Sequence, residues 1–184
     1  MAALIRKAFE VLRQRQIPLA VLVPQEKWLL EFYEKFGFAQ TFDAGNKEIF
    51  SLRQLWEKYP DNLPAAYREF DNYFRVQDMT VQKTFDDFRA IMDEAKLFDF
   101  PPKTNLTGMS RIIDAEKLLT VFARRYPEKT FSFFLSDAEI PKNRANFSFR
   151  NGLVEPDHNN RTTKHSLDIR QLSQLLLGYH TSQT

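Results

Sequence analysis

The sequence WLLEFYEKFGF at residues 28–38 determines how the rest of the chain is interpreted. Its apolar residues recur at three- and four-residue spacing, which places them on one face of a helix. Gly37 follows the last of them, where a helix commonly ends in a left-handed residue that glycine adopts at little cost. The pattern predicts an amphipathic helix that ends abruptly, with Phe38 folding back onto Tyr33.

An apolar segment without alternation precedes this helix. The residues LAVLV at positions 19–23 form an unbroken run that Pro24 closes. Such a run is typical of a strand buried on both faces, in the centre of an open sheet. We therefore expect a central strand followed by the helix, with Tyr33 near the strand end, where open α/β sheets place their ligands.

The rest of the chain alternates between helical and strand patterns. Thr84, Asp114 and Asp168 stand where polar side chains cap helix N-termini, and Asn151-Gly152 has the composition of a tight hairpin turn. Elsewhere the patterns predict a helix over 2–16, a hairpin of strands 38–43 and 47–52, helices over 53–59 and 63–75, strands over 109–113, 130–135 and 146–150, and a closing helix over 167–177. The predicted fold class is α+β, and the 18 phenylalanines supply a large aromatic core.

The composition argues against several classes of function. The chain has 184 residues, of which 43% are hydrophobic and 27% charged, as in an ordinary soluble globular protein. A formal net charge of +2 gives no reason to expect nucleic acid or membrane binding. The absence of cysteine excludes disulfides and thiolate zinc sites. No apolar run approaches the ~20 residues of a transmembrane helix, and charged residues interrupt the N-terminal apolar positions, so we expect a cytoplasmic protein.

The acidic residues and histidines do not form the pattern of a metal site. Asp86 and Asp87 stand at a predicted helix N-terminus, where their charge is favourable without any ion. His158, His165 and His180 are the only histidines, and we interpret them as solvated loop residues. Neither a G-x-S-x-G elbow nor a G-K-[ST] phosphate loop occurs. We therefore expect no metal cofactor.

The segment FYEKFGF at residues 32–38 resembles the late segment of the GNAT acyltransferase family, which ends in a helix with the pattern F-Y-E-K-x-G-F. In that family the preceding strand and this helix flank the pantetheine arm of acetyl-CoA, and the tyrosine is often the general acid that protonates the departing thiolate. The resemblance implies acetyl-CoA as co-substrate, Tyr33 as the catalytic acid, and Leu22, Val23 and Trp28 as residues that bind the cofactor. The alternative interpretation of Tyr33 is a half-buried aromatic residue that caps a core.

The C-terminal half is similar to another part of that family. The motifs G-M-x-R-I-I-D at 108–114, F-x-L-x-D-x-x-x-P-x-N at 133–143 and L-x-x-L-L-L-G at 172–178 resemble the C-terminal domain of the Eis-type acetyltransferases. That domain has a sterol-carrier-protein-like α+β fold. With a boundary at the DFPPK segment of residues 99–103, the expected organisation is a partial GNAT-like mixed sheet with helices over 1–54, a helical connector over 55–100, and a sterol-carrier-protein-like domain over 101–184.

The Eis-type resemblance implies an N-acetyltransferase that acts on a small-molecule amine, a polyamine or an aminoglycoside-like acceptor. The family's R/Q-x-x-G-x-G/A loop, which holds the pyrophosphate of acetyl-CoA, does not occur in this sequence. We therefore expect a chain truncated at both ends, with weak acetyl-CoA binding and an incomplete active site. The alternative function is a non-catalytic module that holds an apolar ligand or a partner. Because a cut sheet exposes its edge, we also expect a homo-oligomer.

Overall fold

The structure is a computed structural model that describes residues 1–46, 48–77, 80–159 and 163–179. The helices in these residues are α1 (Ala2–Gln14), α2 (Trp28–Glu34), α3 (Leu52–Lys58), α4 (Leu63–Arg75), α5 (Phe85–Leu97), α6 (Ala115–Arg125) and α7 (Ile169–Leu176). The strands are β1 (Leu19–Leu22), β2 (Ala39–Phe42), β3 (Gly108–Ile112), β4 (Phe131–Ser136), β5 (Ala145–Arg150), β6 (Leu153–Asp157) and β7 (Ser166–Asp168). The fold class is α+β, as the sequence predicts.

The chain forms two compact units, which are described separately. One unit combines Met1–Asp43 with the segment from Leu106 onward, and we call it the sheet unit because it contains every described strand. The other is Ala44–Asn105, which contains α3, α4 and α5 and is called the helical unit. The predicted domain boundaries after residues 54 and 100 stay a prediction.

The first sheet of the sheet unit has the strand order β1–β3–β2, with both pairs antiparallel. Leu19 lies opposite Ile112 on one side of β3, and Ala39 lies opposite Ser110 on the other. The prediction that 19–23 is a central strand is wrong, because β3 occupies the centre and β1 lies at an edge. Accordingly, the side chain of Val21 is 41% exposed.

The predicted hairpin of strands 38–43 and 47–52 is also wrong in its second half. β2 forms, but its partner is β3. Lys47 lies outside the described residues, Glu48 makes an isolated bridge with Thr104, and Leu52 begins α3. Side-chain alternation predicts that a segment is extended but does not identify its partner. The strand that pairs with β2 is β3, from much later in the chain, instead of residues 47–52.

The second sheet has the order β6–β5–β4–β7, antiparallel except for the parallel pair β4–β7. The predicted turn at Asn151-Gly152 is confirmed, with φ values of 52° and 75° that match a tight hairpin turn. The predicted caps of α6 and α7 are also confirmed, since Asp114 and Asp168 accept hydrogen bonds from backbone N–H groups of the first helical turn. Two buried clusters form the core of the unit, one containing Ile112, Leu119, Leu135, Phe147 and Leu172, the other containing Phe9, Phe36, Phe38, Met109 and Ile113.

The helical unit packs α3, α4 and α5 around a hydrophobic core. Its buried residues are Leu52, Leu55, Ala66, Phe70, Phe88, Met92 and Ala95. The predicted N-cap of α5 is confirmed as a full capping box, in which the Asp87 carboxylate accepts bonds from the backbone N–H and the hydroxyl of Thr84 at 2.9 Å and 2.8 Å. These bonds favour the ionised carboxylate and lower the pKa of Asp87.

The capping box predicts an acid-sensitive helical unit. The pKa of Asp87 is lower in the folded than in the unfolded chain. Its carboxylate therefore adds to the free energy of unfolding above the unfolded pKa of about 4, and this stabilisation is lost as the pH falls through the folded pKa. Asp87→Asn should lower the stability of this unit at neutral pH and flatten its decline below about pH 4. The measurement is urea unfolding followed by Trp56 fluorescence in a Trp28→Phe background, in which Trp56 is the remaining tryptophan.

The matched control is Asp86→Asn, in the same helical turn. Asp86 is exposed and pairs only loosely with Arg89, at 3.5 Å. An acid profile of Asp86→Asn that changes as much as that of Asp87→Asn would contradict the capping-box explanation.

Candidate active site

Tyr33 lies in the last turn of α2, which ends as the sequence predicts. The backbone carbonyl of Tyr33 accepts bonds from the N–H groups of Phe36 at 2.9 Å and Phe38 at 3.3 Å. Gly37 has a φ of +80°, so the chain reverses there through a left-handed residue. The Tyr33 ring is half-buried and packs edge-on against the rings of Phe32 and Phe38, with centroids 5.2 Å and 5.6 Å away. Within the described part of the chain, its hydroxyl makes no hydrogen bond.

The other predicted site residues lie at the start of α2 and the end of β1. Leu22 is half-buried and packs against the same cluster as Tyr33. Trp28 is 60% exposed, and its ring contacts Phe32 at 6.3 Å. Val23 is 49% exposed. The structure therefore brings Tyr33 and Leu22 to one core cluster and leaves Val23 and Trp28 largely open to solvent.

One edge of β1 is open. Pro18 accepts a bond from the Ile113 N–H at 2.7 Å, and in an antiparallel ladder the hydrogen-bonded residues alternate along a strand. The backbone groups of Leu19 and Val21 therefore point away from β3. Among the described residues no strand pairs with that edge, so it can accept an extended molecule that carries amide groups.

A buried ion pair lies behind the candidate site, and sequence reasoning missed it. The guanidinium of Arg111 donates to both carboxylate oxygens of Asp137 at 2.7 Å and 2.8 Å, and the side chains are 0% and 1% exposed. Arg111 also donates to the carbonyls of Phe36 at 2.8 Å and Ile112 at 2.7 Å. The sequence predicts Asp114 as a helix cap, which the structure confirms, but it did not identify Asp137 as the partner of Arg111.

Every oxygen of the Asp137 carboxylate is satisfied. Beyond Arg111, it accepts bonds from the backbone N–H groups of Glu139 and Ile140, both at 3.1 Å, and from the Asn143 side chain at 2.8 Å. The signal for this site was in the sequence, since Arg111, Asp137 and Asn143 are three of the four polar letters of the motifs at 108–114 and 133–143. No spacing rule revealed that the two motifs meet.

The ion pair also fixes the residue that ends α2. A Cβ atom on Gly37 would lie 2.9 Å from the Arg111 Nε, closer than real Cβ atoms approach. Glycine is therefore required at this position for two reasons: the backbone is left-handed, and Arg111 occupies the space that a side chain would need. The Arg111 guanidinium thus holds the segment that follows Tyr33 through the Phe36 carbonyl.

A cavity of about 340 Å³ opens beside the C-terminal end of α2. Most of its lining residues are of polar or charged types, among them Glu34, Arg144, Asp168 and Arg170. Nearby, Arg6 donates two hydrogen bonds to Glu139 at 2.8 Å and 3.0 Å, and these bonds hold the pKa of that carboxyl below its usual range. Tyr33 is not part of this lining, so the cavity is a neighbour of the candidate acid rather than its binding pocket.

The described residues give no sign of a metal centre or a membrane span. Among them, no group of three or more histidine, aspartate and glutamate side chains is arranged to hold a metal ion. No helix within the described ranges combines the length and apolar character needed to cross a bilayer.

Comparison with known proteins identifies the fold. Residues 116–184 match the family model described as the sterol carrier protein domain. The structure is similar to that of Eis1 from Mycobacterium abscessus, with a TM-score of 0.53 and 14% identity over 98% of this chain and 69% of that one. It is also similar to a conserved protein of unknown function from Enterococcus faecalis V583, described as a probable N-acyltransferase, with a TM-score of 0.53 and 16% identity over 98% and 68%.

No curated protein sequence matches the chain. At these identities the structural likeness shows a shared fold over nearly the whole of this chain, and the family-model match agrees with the predicted sterol-carrier-protein-like C-terminal part. The roles of Tyr33, Leu22, Val23 and Trp28 stay predictions.

The contacts of Tyr33 predict that its hydroxyl is dispensable for folding. Tyr33→Phe keeps the ring packing and removes a group that bonds to no described residue, so the free energy of unfolding should change by less than about 0.5 kcal/mol. Tyr33→Ala removes the ring and should cost about 3 kcal/mol. Urea unfolding in a Trp56→Phe background, with Trp28 as the reporter, measures both. A large loss in Tyr33→Phe would identify a structural hydroxyl.

The buried ion pair predicts a larger effect. Arg111→Met leaves the Asp137 carboxylate buried without its cation and should cost about 3–5 kcal/mol of unfolding free energy. The double variant Arg111→Met/Asp137→Leu should lose much less than the sum of the single variants, because no charge remains unpaired. The control is Arg6→Met, which breaks an exposed ion pair and should change stability little. Additive single-variant losses would contradict the coupling.

Proposed function

We propose that this chain acts as an acetyl-CoA-dependent N-acyltransferase that acetylates a small amine of the polyamine or aminoglycoside class. The observation that carries the proposal is Tyr33, a half-buried tyrosine whose hydroxyl makes no hydrogen bond to a described residue, on a helix that follows an open strand edge. The shared fold with Eis1 supports it. The proposed compartment remains the cytoplasm.

The proposed reaction is a direct transfer. The amine nitrogen attacks the thioester carbonyl, a new C–N bond forms, and the C–S bond breaks. The departing sulfur takes the proton of the Tyr33 hydroxyl, while the amine gives up its own proton to a base. Tyr33 thus acts as the general acid, and its ring contacts with Phe32 and Phe38 hold the hydroxyl in one direction.

The open edge of β1 supports acetyl-CoA as the co-substrate. The pantetheine arm is extended and carries two amides, which can bond to the outward backbone groups of Leu19 and Val21 as an added strand would. Leu22 and Val23 at the strand end and Trp28 at the start of α2 are the residues proposed to line the arm. Since the exposed ring of Trp28 is available for contact, it can cover the apolar part of the arm.

A second candidate function is a non-catalytic module that binds an apolar ligand or a second copy of the chain. A cleft of about 240 Å³ in the sheet unit favours it, because its lining is almost wholly apolar and includes Leu19, Ile112, Phe122 and Leu176. The same open edge of β1 would then pair with another β1 in a homo-oligomer. Sedimentation analysis tests whether the two share this edge, because acetyl-CoA should dissociate the oligomer if both use it.

Turnover tests the first proposal. Acetylation of spermidine should be detectable, and Tyr33→Phe should lower kcat by about 10²–10⁴-fold without changing the KM for acetyl-CoA. Because the sequence has no glycine-rich phosphate loop, acetylpantetheine should bind within about threefold of acetyl-CoA. Isothermal calorimetry measures this ratio.

Changing the leaving group of the substrate distinguishes acid catalysis by Tyr33 from a positioning effect. An acetyl thioester of a more acidic thiol needs no proton on its departing sulfur, so the loss in Tyr33→Phe should shrink with that substrate. An equal loss with both thioesters would contradict the role of Tyr33 as the acid. The absence of both acetyl-CoA binding and turnover would favour the second candidate function.

A further inference from the structure

The helical unit contains an apolar cavity that no part of the proposed reaction uses. It measures about 270 Å³ and is lined by Ile49, Phe50, Leu52, Phe70, Phe74, Ile91 and Lys103. It lies outside residues 116–184, which match the sterol carrier protein domain, and outside every candidate active-site residue. Its size suits a ligand with a short alkyl chain or a single aromatic ring.

Aromatic rings form one wall of this cavity. The ring of Phe50 contacts those of Phe70 and Phe74 with centroids 5.7 Å and 5.9 Å away, and it meets Tyr73 at 4.9 Å. The Tyr73 hydroxyl donates to the Ile49 carbonyl at 2.8 Å and so already has a hydrogen-bond partner. The wall therefore offers carbon surface and favours an apolar group.

Lys103 is the one charged residue of the described lining. Its backbone carbonyl accepts a bond from the Ile49 N–H at 2.9 Å, which fixes its position beside the cavity. The residue is half-buried, and its ammonium group makes no ion pair with any described carboxylate. A lysine that lines an apolar cavity and makes no ion pair with a described carboxylate is suited to an anion carried on an apolar body.

The segment that leads to Lys103 is held in an unusual conformation. Asp99 and Phe100 both have left-handed backbones, with φ values of 55° and 52°, which costs energy for residues other than glycine. Arg53 holds the turn, because its guanidinium donates to the Asp99 carbonyl at 2.6 Å and lies over the Phe100 ring. Pro101 and Pro102 then keep the chain extended up to Lys103, so its position is built into the fold.

We propose that this cavity binds an amphipathic monocarboxylate, with its alkyl or aryl group among the phenylalanines and its carboxylate on Lys103. The cation excludes amines, and the scarcity of other polar groups in the lining excludes sugars and nucleotides. The site is independent of acetyl transfer, because its residues belong to the helical unit, and it takes its ligand whether or not the chain is a transferase.

Octanoate is the probe, and titration by calorimetry or ligand-observed NMR is the measurement. Octanoate should bind at least about tenfold more tightly than octylamine, which has the same chain and the opposite charge. Lys103→Met should weaken octanoate binding about tenfold, and Lys103→Arg should retain it. Lys83→Met, which removes an exposed lysine of the same unit, should leave it unchanged.

A second pair of variants locates the site. Ile91→Trp fills the cavity and should abolish octanoate binding, whereas Val121→Trp in the sheet-unit cleft should not affect it. Far-UV circular dichroism during urea unfolding verifies that each variant is folded. Equal affinity for octanoate and octylamine, undiminished binding in both Lys103→Met and Ile91→Trp, or no binding of octanoate to the unaltered protein would overturn the proposal.

Discussion

The ion pair between Arg111 and Asp137 is the interaction on which the sheet unit depends. Neither charge reaches water, so each is stable in the interior only with the other, and removing one alone is costly. Through Arg111 the pair joins three segments that are remote in sequence: the chain after α2, the central strand β3 and the turn after β4. The Arg111 guanidinium, which takes no part in the proposed chemistry, therefore positions the end of the helix that carries Tyr33.

Local features of the fold were predictable because a few adjacent residues decide them. The left-handed Gly37, the capping box of Thr84 and the turn at Asn151-Gly152 all follow from the conformations open to those residues and their neighbours. Strand pairing was not predictable in this way. The run at 19–23 predicted a strand correctly but placed it wrongly at the centre of its sheet. An apolar run does not identify the neighbouring strand, and at the edge of this sheet Val21 and Val23 remain 41% and 49% exposed.

In the candidate site too, the local features were predictable from the sequence and the contacts between distant segments were not. The motif at 32–38 located the helix and its tyrosine, because motif residues lie on one continuous element. Arg111, Asp137 and Asn143 lay within recognised motifs, yet only the packing of β3 against the turn after β4 brings them together. The surroundings of Lys103 were even less predictable from the sequence. In the sequence it ends a proline-rich linker, and its place beside a ring-lined cavity depends on two left-handed residues that no propensity rule predicts.

The order of the strands in the first sheet has a consequence for synthesis on the ribosome. β1 and β2 emerge early, but their shared partner β3 is translated only after the whole of Ala44–Asn105. The helical unit is continuous in sequence and can acquire its core during elongation, which proceeds at about 5–20 residues per second. For several seconds, while the helical unit is being translated, the nascent chain thus holds β1 and β2 without their central neighbour. During that interval the N-terminal apolar segments are the part of the chain most in need of a chaperone.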